Sequence, residues 1–431
     1  MKRILLALGL ITTFVFGLAC ERRGGGGAGD TGPIKVGLYA DLTGQTSSFG
    51  QSTKNGVQMA VDEINKAGGI NGRQVQLLVE DDQGLPAQAA TVVTKLINQD
   101  KVHAVLGEVA SSNSLAAAPK AQEAKIPMIT PSSTNPKVTQ VGDFIFRVCF
   151  IDPFQGEVMA KFAINTLKAK TAAVLTDVNS DYSRGLDQFF TDNFTKMGGR
   201  IVEKQSYTQT DQDFSGQLTA IRSANPDVIY VPGYYGQVGV IAKQAKQLGI
   251  KAPLLGGDGW DAPQLFQLGG DALNGSFFSN HYSYEDPRPE VKTFVDAYRA
   301  RYNAIPDAIA ALGYDAMKVL ADAIKRSGST DGQKLRDAIA QTANFAGVTG
   351  TISINQERNA VKPATVFELQ SGKYVFKENI YPEGMTPPAT TSPANTNTGT
   401  ANTGAANANT AASPAAANAN TANTAKTGNT K

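Results

Sequence analysis

The sequence predicts an α/β protein made of two doubly wound parallel-sheet lobes joined by a hinge. Three observations carry this expectation. Short β-branched runs alternate with apolar residues at helical spacing, the pattern of strand–helix units that place helices on both faces of a parallel sheet. The alternation begins near residue 34 and starts again after residue 151 on a similar plan. The stretch that carries it is about 350 residues long, enough for two separate cores.

Taken in order, Ile34–Ala40 reads as a buried strand. Val57, Val61 and Ile64 then fall at helical spacing between Phe49 and Ala67, and Gly68-Gly69 stops that helix. Asn71-Gly72 turns the chain into the strand Val75–Glu80. Pro86 suits the first turn of the next helix, through Val92, Val93, Leu96 and Ile97. Ala104–Gly107 is a third strand, and Ser111 is expected to open the following helix with its hydroxyl capping the free amides. Ile126–Thr130 is a fourth strand. The restart gives helix over 153–167, strand Ala172–Thr176, helix Tyr182–Met197, strand Ile201–Tyr207 and helix Phe214–Ala224. Strand Val228–Val231, helix Val238–Leu248 and strand Pro253–Leu255 follow. The lobes join near residue 151, with a second crossing near 280. Helices at Val291–Tyr302 and Ala308–Lys325 and short strands at Thr351–Ile354 and Ala364–Leu369 are expected to end the fold.

The two ends read differently. Lys2 and Arg3 precede the apolar run Ile4 to Ala19, and Cys20 ends it ahead of the spacer Gly24 to Gly27. A positive start, a short apolar segment and a small residue before the cut make a secretory signal. Residues 1–19 are therefore expected to be a signal peptide, and 20–33 a lipid anchor and Gly-rich linker with the lipid on Cys20. Export to the periplasm or the outer cell surface, membrane-anchored through Cys20, follows. Gly17 stands where lipoprotein signals usually carry Leu, and Gly17-Leu18-Ala19 also suits an ordinary signal peptidase. At the other end, residues 386–431 are rich in Thr, Asn and Ala and hold hardly any large apolar side chain. Such a segment is expected to stay disordered, because it cannot bury enough surface to offset its ordering entropy.

Composition excludes several classes. The formal net charge is +2, so charge favours neither nucleic acid nor an anionic surface. After the signal no apolar stretch is long enough to span a bilayer. With Cys20 lipidated, Cys149 stands alone and reads as a small buried hydrophobe. The chain has no phosphate-cradling G-x-x-x-x-G-K-[ST], no G-x-G-x-x-G after a strand and no G-x-S-x-G elbow. His103 and His281 are its two histidines, which leaves little for a zinc site or a Ser–His–Asp triad. Asp177-Val178-Asn179-Ser180-Asp181 starts like a calcium loop but has Tyr182 at the sixth position and Gln188 at the twelfth. Asp81-Asp82 reads as a solvated strand end rather than a catalytic pair. No cofactor, metal or catalytic residue is expected.

The motifs Val36-Gly37-Leu38, Asp41-Leu42-Thr43-Gly44, Ala67-Gly68-Gly69-Ile70-Asn71-Gly72, Glu80-Asp81-Asp82-Gln83, Ile126-Pro127-Met128-Ile129-Thr130-Pro131 and Gly256-Gly257-Asp258-Gly259-Trp260 occur in that order. Together, over about residues 34–380, they resemble the type I periplasmic binding proteins for branched-chain amino acids. The resemblance implies two lobes that close on a ligand like a hinged clam, with three crossings between them. Lobe one would be about 34–151 plus 281–362, and lobe two about 152–280 plus 363–380. It implies a non-catalytic, monomeric protein that delivers an amino acid to the membrane subunits of an ABC importer. A sensor subunit that signals to a membrane receptor would look the same, and relatives of this fold also bind amides, urea or aromatic acids.

The residues agree with a cleft. Ligands of doubly wound sheets sit beyond the carboxyl ends of the strands. Ala110-Ser111 follows the third strand, Ser132-Ser133-Thr134 the fourth, and Asp258 the strand at 253–255. A helix start with a free hydroxyl suits a carboxylate, and an acid on the facing lobe suits an ammonium group. By resemblance, Ser111 and Thr134 match positions that bond the ligand's carboxylate and ammonium, and Ser132 and Ser133 match positions contributing mainly backbone groups. Asp258 matches an ammonium-binding glutamate, one methylene longer in relatives. Tyr182 and Tyr234 match residues that close over the ligand, Phe49 stands where some relatives have Tyr, and Trp260 is expected to wall the apolar end.

Overall fold

The computed structural model describes residues 32–385. The signal segment 1–19, Cys20 and the tail 386–431 lie outside the described residues.

Five parallel strands form the first sheet: β1 (Ile34–Ala40), β2 (Val75–Asp81), β3 (Ala104–Leu106), β4 (Met128–Thr130) and β5 (Ile145–Arg147), in the order β2-β1-β3-β4-β5. Val36 lies opposite Leu77 on one side and Ala104 on the other. The buried run in β1 belongs to a strand covered on both faces, which is why it reads as continuous rather than alternating. Helix Ser47–Lys66 packs Val57, Ala60 and Val61 against it, together with Leu312, Met317 and Leu320 of helix Ala308–Ser327. Helices Pro86–Asn98 and Ser111–Ala124 share a second cluster with Val105, Met128 and Ile145.

The second sheet repeats the plan. Its strands are β6 (Thr171–Asp177), β7 (Arg200–Tyr207), β8 (Val228–Tyr230), β9 (Leu254–Gly256) and β10 (Ser276–Asn280). After the hairpin β11 (Phe345–Gly347) and β12 (Gly350–Ile352), strands β13 (Ala364–Gln370) and β14 (Lys373–Ile380) join this sheet. The order is β14-β13-β10-β9-β8-β6-β7. Strands β6 to β10 are parallel, in the same arrangement as β1 to β5, and β13 and β14 are added antiparallel. Each sheet thus has a switch point beside its first strand, where the chain turns from building one side to building the other.

Several expectations need correction. Strands β5, β10, β11 and β14 were not expected, and β14 rather than β13 ends the second sheet. Ser111 opens its helix but does not cap it. Ala110 occupies the cap position and makes no side-chain bond there. The Ser111 hydroxyl instead accepts the Asn135 N–H at 3.3 Å, tying the loop after β4 to the helix after β3. Asp81-Asp82 is not a solvated end: Asp82 is fully buried, while Asp81 accepts from Leu42 N, Thr43 Oγ1 and Gln83 N.

A candidate ligand cavity between the two sheets

The loops beyond the carboxyl ends of β3, β4, β6, β8 and β9 face one another. They border a narrow cavity of about 10 Å³ lined by Phe49, Val109, Ser132, Tyr182, Tyr234, Asp258, Gly259 and Ile309. Phe49, Ser132, Tyr182, Tyr234 and Asp258, widely separated in sequence, are therefore brought together. Val109, Gly259 and Ile309 were missed. Ile309 comes from the first turn of helix Ala308–Ser327, whose start Asp307 caps through the Ala310 N–H.

One end of the cavity is polar. Asp258 is buried, and each of its oxygens has a partner. Oδ1 accepts the Tyr182 hydroxyl at 2.8 Å and Oδ2 lies 2.8 Å from His281 Nε2. The Tyr182 oxygen in turn accepts the Gly259 N–H at 3.0 Å. Gln155 Oε1 accepts the Asp258 N–H at 2.8 Å and the Ser279 hydroxyl at 2.9 Å. Across the space the Ser132 hydroxyl is buried and has no partner among the described residues. The other end is apolar: Phe49 meets Tyr235 edge-on at 4.9 Å and Tyr234 at 6.1 Å, and Tyr234 stacks on Tyr182 at 5.2 Å. Burial raises the phenol pKa of both Tyr182 and Tyr234, so both remain neutral hydroxyls.

The remaining expected residues lie around this space rather than along its lining. Ala110 donates its N–H to Glu108 Oε2. Ser133 is buried, and its hydroxyl bonds the carbonyls of Glu108 and Val109 at 2.8 and 3.0 Å. Thr134 is buried with its hydroxyl unpartnered among the described residues, and its carbonyl accepts the Asp152 N–H at 3.0 Å. Trp260 is fully buried in the core behind the cavity, its indole N–H on the Val231 carbonyl at 3.1 Å and its ring stacked on Phe278. Gly256 makes room for it, because a Cβ there would come within 2.0 Å of the indole. Cys149 is buried and unpaired as a thiol, with its pKa pushed up to about 12 by burial.

Arg147 supports the loop after β4. Fully buried, it donates to the carbonyls of Ser133 and Asn135 and to the Thr139 hydroxyl. The rim is clasped by direct bonds between loops of the two sheets. The Ser112 hydroxyl donates to Asp181 Oδ2 and accepts the Asp181 N–H, both at 3.0 Å. Asn135 Nδ2 reaches the Asp181 carbonyl at 2.8 Å, and the Tyr235 hydroxyl reaches the Gln45 carbonyl at 3.1 Å. A ligand held here would meet hydroxyls on one wall and a bonded carboxylate on the other.

Comparison with known proteins points the same way. The periplasmic binding protein family profile matches residues 33–373. The Leu/Ile/Val-binding protein BraC3 of Rhizobium johnstonii is 32% identical over 348 residues, covering 80% of this chain and 94% of its own. The crystal structure of the leucine-binding protein LivK of Thermotoga maritima is 43% identical with a TM-score of 0.79, covering 82% of this chain and 100% of its own. That of the branched-chain amino acid transporter substrate-binding protein LivJ of Streptococcus pneumoniae, in complex with isoleucine, is 36% identical with a TM-score of 0.78, covering 81% and 100%. The chain belongs to the periplasmic binding protein family, whose members bind substrates outside the cytoplasm without transforming them.

Proposed function

We propose that the protein captures leucine, isoleucine or valine between two lobes and delivers it to an ABC importer. The observation that carries this reading is the cavity with Asp258 and Tyr182 at one side, the free Ser132 hydroxyl opposite, and Phe49, Val109 and Ile309 for an aliphatic side chain. An amino acid head needs an anionic acceptor and neutral donors a few ångströms apart, and such charge-assisted bonds fix orientation. Burying the aliphatic side chain supplies about 1.5–3 kcal/mol. The start of helix Ser111–Ala124 offers unpaired amides to the carboxylate. The lobes are about 34–151 plus 281–362 and 152–280 plus 363–380, and the chain is exported and anchored through Cys20.

Differential affinity for the closed arrangement is what lets the ligand shift the hinge. A thermal-shift screen over amino acids, amides and small aromatic acids tests the reading, since a ligand that binds only the folded form raises the melting temperature. Stabilisation by leucine, isoleucine or valine is expected, with calorimetry giving one site per chain. Stabilisation by benzoate or an amide, and by none of the three, would reassign the cavity.

A further inference from the structure

His281 follows β10 directly, at the point where the chain leaves the second sheet. Its side chain is fully buried. Its Nε2 is 2.8 Å from Asp258 Oδ2, and an ionised carboxylate can only accept, so Nε2 carries the proton. Nδ1 then bears a lone pair, and it has no partner among the described residues. The ring plane is fixed by stacking on Phe150, with centroids 3.8 Å apart and planes at 24°. Phe150 lies beside the first expected crossing near residue 151 and His281 beside the second near 280.

The geometry points to His281 as the positioning residue of the ligand acid: its Nε2–H holds Asp258 Oδ2 so that the carboxylate is turned toward an ammonium group. This rests on reading Asp258 as the ammonium acceptor. Two donors, one on each oxygen, fix the carboxylate plane and leave lone pairs free for a third. A doubly protonated ring would neutralise the acid instead. Burial lowers the His281 pKa, the bond to Asp258 opposes this, and the Lys362 charge lowers it further. The other titratable groups around the pair are Asp152, Asp261, Cys149, Tyr182, Tyr230 and Tyr234. Burial pushes all six toward their neutral forms, so the ring is held neutral without a competing anion.

The test compares leucine binding by calorimetry in the wild type, His281→Phe, His281→Gln and Asp258→Ala across about pH 5 to 8. Phe keeps the stack on Phe150 and removes the donor, whereas Gln keeps a donor and removes the stack. His281→Phe should weaken leucine about tenfold or more. His281→Gln should recover most of that affinity. An unchanged affinity in His281→Phe, with binding lost in Asp258→Ala, overturns the role of His281 alone. Unchanged binding in Asp258→Ala removes the acid from the site and the proposal with it. If His281→Phe does not fold, imidazole nitrogen spectra of the wild type decide, since the chain has two histidines. One ring fixed as Nε2–H and not titrating over that range supports the proposal, and a titrating or Nδ1-protonated ring at His281 overturns it.

Discussion

The two walls of the cavity handle their polar groups in opposite ways. On the wall built from β3 and β4, the hydroxyls of Ser132 and Thr134 are buried and unpartnered among the described residues. The backbone behind them is held by Arg147 and Ser133. On the wall that belongs to the second sheet, Asp258, Tyr182, Gln155, Ser279 and His281 bond to one another. An unpartnered buried hydroxyl costs stability until something bonds it, so a ligand gains from the first wall without breaking anything. On the second wall it must share an acid that already has two donors. The first wall therefore spends folding energy on readiness, and the second spends it on holding a charge in place.

The largest effect should come from removing what keeps the first wall rigid. Arg147→Met takes the guanidinium from the buried carbonyls of Ser133 and Asn135 and leaves them only the weak Cys149 thiol and the Val138 N–H. Each lost bond to a charged donor costs ~1.5–3 kcal/mol, so a destabilisation of ~3 kcal/mol or more is expected in denaturant unfolding. Leucine affinity should fall with it, because the Ser132 hydroxyl would no longer be aimed. A variant as stable as the wild type would show that the loop after β4 holds its shape without the guanidinium.

Asp152 stands where the two walls meet, its N–H on the Thr134 carbonyl and its Oδ2 unpartnered among the described residues. Burial raises its carboxyl pKa to about 8. The unfolded value is ~3.9, so between about pH 4 and 8 the native state holds a proton that the unfolded chain has lost. Stability from this group is complete below about pH 4 and declines as the pH rises toward 8. Asp152→Asn removes the titration while keeping a donor beside Thr134. It should raise stability by at least ~2 kcal/mol at pH 8 and change little at pH 4. Equal effects at both pH values would mean that Asp152 is ionised in the folded protein.

How much of this was legible in the sequence follows from the physics of each part. Strands β1, β6 and β8 are buried β-branched runs, and such runs announce themselves locally. Strand β14, Lys-Tyr-Val-Phe-Lys-Glu-Asn-Ile, lies at the sheet edge with Val375 and Phe376 exposed, so no buried face imposes a pattern. Strand β10, Ser-Phe-Phe-Ser-Asn, is fully buried, yet its five residues carry no β-branched run. In the site, Asp258 and Ser132 could be found because they follow strands, where a doubly wound fold puts its ligand. His281 also follows a strand, but that strand had gone unseen. Ile309 reaches the cavity from a helix about two hundred residues beyond Val109, and no local signal marks such a contact. Trp260 misled because a large aromatic after a glycine run suits a cavity wall, whereas Gly256 opens space for it in the core.

The smallest effect separates the walls most cleanly. Ser132→Ala removes a hydroxyl that has no partner among the described residues, so the protein without ligand should gain up to ~1 kcal/mol in stability. The same change removes a bond to the ligand, and leucine affinity should drop by ~1 kcal/mol, about fivefold. Tyr182→Phe on the other wall takes away a hydroxyl that donates to Asp258 and accepts from Gly259. It should lose both stability and affinity, each by ~1–2 kcal/mol. Melting curves and calorimetry on this pair read the two quantities independently. Opposite signs in Ser132→Ala and equal signs in Tyr182→Phe are what one wall held ready and one wall already satisfied require. A loss of stability in Ser132→Ala would mean that its hydroxyl is bonded before any ligand arrives, and the contrast between the walls would disappear.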